Sequence, residues 1–209
     1  MFIIHDYSLA VFFCVITMLC WGSWANTQKL AGSNWRFELF YWDYVIGILL
    51  FSIIAAFTLG SNGEAGRSFL TDLKQADKSN ISSAFIGGII FNAANILVVA
   101  AIDIAGMAVA FPVGIGLALI LGVLINYFEK PQGNPFMIFF GVAFIAVAII
   151  VNAIAYKRKN ANQKKVSTKG IVLALLGGIL MSLFYRFIAV SMDLDNIESP
   201  AAGKMTPYT

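Results

Sequence analysis

Apolar residues in this chain come in long runs separated by short polar connections, at residues 8–28, 35–59, 81–102, 107–128, 135–156 and 170–192. Each run is close to the roughly 20 residues that a helix needs to cross a hydrocarbon core. None shows the period-two alternation of a barrel strand and all are longer than strands, so six membrane-spanning helices are predicted. The first run reads as a retained helix rather than a leader, because only His5 and Asp6 precede it and no small-x-small site follows a short apolar core. Between the second and third runs, Phe69, Leu70 and Leu73 recur at helical spacing inside a polar stretch, which predicts a short interfacial helix. Only Asp103-Ile104-Ala105-Gly106 separates the third run from the fourth, so these two form a tight antiparallel hairpin.

Composition agrees with the pattern. The 209 residues are 59% hydrophobic and 12% charged, against about 25% charged in a soluble domain. The fold class is an all-α integral membrane protein, a polytopic helix bundle. Lys157, Arg158, Lys159, Lys164, Lys165 and Lys169 crowd one connection, which the positive-inside rule makes cytoplasmic. The N-terminus is then external and the connection 29–36 internal. Arg67, Lys74 and Lys78 fall outside in this arrangement, against the rule. Membrane lipids and a small solute are the expected partners, and no nucleic acid is expected.

Polar groups inside apolar runs need a reason. At about 1.5 Å per residue, Asp43 lies about 12 Å past the inner start at Trp35, and Trp21 and Asn92 reach about 18 and 16 Å from the outer side. Asp43 is thus a candidate for function, since charge at that depth normally faces a bundle interior or a wet cavity; a structural acid bonded to Tyr or Asn neighbours is the alternative. Trp21, Trp24, Tyr41, Trp42 and Tyr44 fit either an aromatic belt or a stacking platform for a sugar or heterocycle, and Trp21 is too deep for the belt. Asn92 and Asn95, three apart, share a helix face as interhelical glue or as solute ligands. Arg186 is expected to snorkel outward toward Asp193 and Asp195. Pro112 frees a carbonyl in the fourth run and kinks it or opens a cavity, while Gly87, Gly88, Ala93, Ala94, Gly114, Gly116, Gly122, Gly177 and Gly178 read chiefly as close-packing positions. Gly114-x-Gly116 follows no strand and is no dinucleotide signature. Cys14 and Cys20 point to different faces of one helix, so neither a disulfide nor a metal site is predicted, and no cofactor is expected.

Cys20-Trp21-Gly22-Ser23-Trp24-Ala25-Asn26-Thr27, the segment from Glu38 to Asp43, and Ala110-Phe111-Pro112-Val113-Gly114 together resemble the sugar and ureide permease branches of the drug/metabolite transporter superfamily. Bacterial members are the nearest likeness. The resemblance implies ten helices as two inverted five-helix repeats, in a bacterial inner membrane. On that scheme residues 1–156 are the first repeat, 157–169 a basic cytoplasmic linker and 170–209 the start of the second, leading toward a seventh helix. Only six helices are visible of the expected ten, so an N-terminal fragment of a longer reading frame is expected, with the missing second half or a second copy completing the pathway.

Three classes of function are open to such a chain: transport, intramembrane catalysis and scaffolding, the last disfavoured by the midplane groups Asp43, Trp21 and Asn92. An intramembrane enzyme lacks support: the sole histidine is His5 and no His-Glu-x-x-His motif occurs. An ATP-driven pump lacks a Walker-type loop. Secondary-active transport of a small neutral solute such as a sugar, ureide or nucleobase is favoured, with Trp21, Trp24, Asn26, Tyr41, Asn92 and Asn95 as solute contacts and Asp43 as the proton- or ion-coupling acid. Export of lipophilic cations, held by Asp43 within an aromatic cage, is the alternative.

Overall fold

The computed structural model describes residues 1–31, 35–159 and 167–209, without the side chains of Ala25, Lys29, Lys157 and Lys159. Lys164 and Lys165 of the basic connection lie outside the described residues. Seven helices follow one another: α1 (Tyr7–Leu30), α2 (Phe37–Phe57), α3 (Phe69–Gln75), α4 (Lys78–Ala105), α5 (Met107–Glu129), α6 (Pro135–Lys159) and α7 (Thr168–Ser191). All except α3 are long and apolar enough to cross a membrane, which gives the six predicted spans. Residues 192–209 contain no helix. The expected interfacial helix is present as α3, with Leu70 and Leu73 exposed.

Local chemistry sets several boundaries. The Asp6 carboxylate accepts the Leu9 amide at 2.7 Å, and Asn134 Oδ1 accepts the Phe136 amide at 2.9 Å with Pro135 as the first residue of α6. Both satisfy amides that a helix start leaves without partners. The α4–α5 hairpin is tighter than its sequence implies: α4 runs on through Ala105, and Gly106 alone joins it to α5 at φ 81°, a backbone region that favours glycine. α5 continues as helix through Pro112.

The chain divides into two compact units, with boundaries inside α4 and α7. The second unit, residues 85–188, is built on an antiparallel pairing of α4 and α7. Along α7, Gly170, Ala174, Gly177, Met181, Phe184 and Ile188 step by alternating four and three residues, the spacing that keeps one stripe on a partner helix. A Cβ on Gly170 would meet the Ala105 methyl at 2.5 Å, and one on Gly177 the Ala94 carbonyl oxygen at 3.1 Å. Further along, the Phe91 and Phe184 rings lie 4.9 Å apart, and Gly87 faces Ile188. α5 joins this seam where Gly178 lies against the Gly114 carbonyl, and α6 packs on α5 through Tyr127 and Phe139, 5.2 Å apart. Gly88 and Gly122 have nothing near them, so the close-packing role expected of both falls away. Arg186, expected to reach toward Asp193 and Asp195, pairs with Glu129 at the end of α5, at 3.1 Å; the last turns of α5 and α7 bring the two within reach.

The first unit, residues 1–84 and 189–209, is fastened on its polar side by one buried carboxylate. Asp72 is fully buried. Its Oδ1 accepts the Arg67 guanidinium at 2.7 Å, and its Oδ2 accepts both the Thr206 amide and the Thr209 hydroxyl at 2.7 Å. Arg67 also donates to the carbonyls of Pro200 and Lys204. Gly203, at φ 81°, sits too close to the Asp77 carboxylate for any side chain; its amide donates to Gln75 and its carbonyl accepts the Asn80 side chain at 2.8 Å. These bonds tie the segment 200–209 to α3 and the start of α4.

Burial alone would raise the Asp72 pKa, but the Thr206 amide, the Thr209 hydroxyl and the Arg67 guanidinium outweigh it and hold the carboxyl below its ordinary value. A folded pKa below the unfolded value of about 3.9 contributes stability above that pH and loses it as pH falls through the folded value. Asp72→Ala is expected to cost about 3–5 kcal/mol at neutral pH, since it leaves Arg67 without its charge partner. Thermal unfolding in detergent should show the gap between variant and native closing only below about pH 4. A second pair of substitutions tests the seam. A Cβ at Gly178 would meet the Gly114 carbonyl oxygen at 2.5 Å, whereas one at Gly22 meets nothing within 4 Å. Gly178→Ala should destabilise by about 1–3 kcal/mol, and Gly22→Ala should leave the melting temperature unchanged or slightly higher.

Candidate functional site

The polar atoms that matter most inside the spans are those that folding leaves without a partner. α1 and α2 meet in the first unit through an aromatic stack: Trp24 lies on Tyr44 at 5.2 Å with an interplanar angle of 23°, and Tyr44 tilts against Tyr41 at 5.9 Å. Tyr41 and Tyr44 are three apart and so face the same way on α2. Tyr41 is buried and Trp24 half-buried. Both Trp24 Nε1 and Gln28 Oε1 are shielded from solvent and bonded to nothing. Trp24 and Gln28 are four apart, one turn along the same face of α1. Measured from the α1–α2 connection, Trp24 is about 9 Å up α1 and Tyr44 about 10 Å up α2, so helical rise alone brings the rings level.

In the second unit Asn95 is 1% exposed, and neither its amide nitrogen nor its oxygen has a partner. It flanks the α4–α7 seam, one turn before the fully buried Val98 and Val99. A buried amide with no bond costs about 1–3 kcal/mol.

The remaining sequence candidates lie elsewhere. Asn92 shares a face with Asn95 but is exposed and has its own interaction. Trp21 is 41% exposed, although its depth favoured it as a platform, and Asn26 is exposed. Asp43 is exposed on α2, about 130° round the helix from the face that carries Tyr41 and Tyr44. Because α2 starts at Phe37, Asp43 is about 9 Å along it rather than 12. The stacked pair also revises the role of Trp24: one indole face is occupied by Tyr44, and what the residue offers is its N–H edge. Gln28 was missed by sequence reasoning, because a glutamine at the end of an apolar run reads as a helix terminus reaching water. Its i+4 spacing from Trp24 was the available signal. Among the described residues no group of His, Cys, Asp and Glu is arranged to hold a metal ion.

Among the described residues, six helices long and apolar enough to span, with shielded unpaired groups that are all neutral, define an α-helical integral membrane protein. The profile of the Ureide permease family matches residues 40–173, and the chain belongs to that family. Ureide permease 1 of Arabidopsis thaliana is 26% identical over 166 residues, 78% of this chain and 43% of its own length. Ureide permease 2 of the same plant is 28% identical over 170 residues, 79% and 42% of the two chains. A probable ureide permease A3 of Vigna unguiculata is 26% identical over 129 residues, 60% of this chain and 34% of its own. The chain thus spans less than half the length of these relatives. No solved structure matches it significantly.

The two asparagines can be separated by experiment. Replacing an unbonded buried amide with an apolar group of similar shape is neutral or stabilising. Asn95→Leu should hold or raise the melting temperature in detergent while impairing any activity that uses the amide. Asn92→Leu should change stability by less than about 0.5 kcal/mol.

Proposed function

We propose that the protein is a secondary-active permease for a small, neutral, ureide-like solute. The observation that carries the reading is the set of shielded, uncharged and unpaired atoms on Trp24, Gln28 and Asn95. A charged solute would need opposite charge there, whereas a ureide brings N–H and C=O groups that pair with such atoms without burying net charge. The names of the relatives support the same class of solute. Trp21, Trp24, Asn26 and Tyr41 in the first unit, and Asn92 and Asn95 in the second, are proposed, each unit by itself, as solute contacts. Alternating access between two repeated halves is the mechanism proposed, by analogy with secondary transporters built from internal repeats. Asp43 is proposed as the proton-coupling acid, since a lone carboxylate within a span is costly unless it serves transport. The protein lies in the cytoplasmic membrane with its N-terminus outside and the basic connection 157–169 inside.

The test is uptake of labelled allantoin and uracil by cells expressing the protein, with and without a protonophore. Accumulation that the protonophore abolishes is expected. Asp43→Asn should abolish that accumulation while exchange of solute persists. Accumulation with the same pH dependence in the variant would remove Asp43 from the coupling role, and no uptake of either solute would overturn the reading.

A further inference from the structure

We propose that Trp24 and Gln28 form a directional reader for the edge of an amide, in which Trp24 Nε1–H donates to the solute carbonyl and Gln28 Oε1 accepts the neighbouring N–H. The inference rests on the ureide reading above and assigns the residues and polarity of one recognition element within it. Both atoms are shielded and unbonded. An indole nitrogen only donates, and the Gln28 carboxamide turns its oxygen, which only accepts, to the shielded side. A solute that satisfies both must therefore present an acceptor toward Trp24 and a donor toward Gln28. An anion has no donor for Gln28, and a cation such as an ammonium has no acceptor for Trp24. A planar amide or ureide edge holds the two groups side by side. Hydrogen bonds of about 2.9 Å at each end let that edge bridge residues one turn, about 6 Å, apart on α1.

Two features make this a built element. Tyr44 stacks on the indole at 5.2 Å and is itself held against the buried Tyr41, so the direction of the Trp24 N–H is set before solute arrives. The indole edge and the Gln28 oxygen also share one helix, so their spacing persists through movements between helices. An element of this kind gains affinity by prior ordering.

The experiment is calorimetric binding to the protein in nanodiscs of two probes, hydantoin and 1,3-dimethylhydantoin, which keeps both carbonyls but has no N–H. Native protein should bind hydantoin at least ten-fold more tightly, the scale of one lost bond that strands a buried acceptor. Gln28→Leu should weaken hydantoin about ten-fold and bring the two probes within about two-fold of each other. Trp24→Phe, which keeps a ring against Tyr44, should weaken both probes alike and preserve the discrimination. A merely structural role would not divide the variants in this way. If native protein binds hydantoin and the discrimination survives in Gln28→Leu, the reader is overturned while the ureide reading stands. If native protein binds neither probe, the ureide reading falls and the reader with it. The native comparison needs no variant to fold, and a native-like elution profile qualifies each variant for the rest.

Discussion

Two helices in hydrocarbon gain nothing by expelling water from between them, so what holds them is how closely their backbones approach. The antiparallel seam of α4 and α7 meets this constraint, and the second unit depends on it. Gly170, Ala174 and Gly177 present almost no side chain where Ala105, Val98 and Ala94 come in. Larger residues enter only toward the other end, where Phe184 meets Phe91. Gly114 and Gly178 extend the same solution to α5. Asn95 is buried where it flanks this seam, and both of its amide atoms are left without a partner there.

The first unit solves a different problem by different means. Its connection between α2 and α4 and the segment 200–209 lie outside the spans, where water competes for every polar group. There the chain is held by a carboxylate that keeps four bonds in a dry position, and by Arg67, which gathers carbonyls from the segment it binds. Within the spans of the same unit, the aromatic stack leaves an indole N–H and an amide oxygen unanswered. Satisfied polar groups outside the spans thus stand beside unsatisfied ones within them.

The spans were legible because membrane burial imposes a simple length and composition rule, and the observed ends fall close to the predicted runs. The short helix α3 was legible from Phe69, Leu70 and Leu73. Asp72 was not, because an acid in a charged stretch reads as solvated, and its partners Thr206 and Thr209 lie more than a hundred positions away with no period linking them. Asn92 and Asn95 are chemically identical and three apart; only the position of the seam decides which one is buried. Depth along the helix singled out Trp21, but rotation about the helix decides exposure, and it is Trp24 that turns toward α2. Arg186 met Glu129 because the α5–α7 contact is set by glycines far from either charge.

The joint at Gly106 has a consequence for how the protein is made. One residue between two spans leaves no polar loop to be carried across or held back on its own. α4 and α5 must therefore leave the insertion machinery as a single hairpin, each span waiting for the other. A ribosome that pauses between them would hold a half-inserted helix with nowhere to turn, so this is the place in the chain where synthesis and membrane insertion are bound to one another.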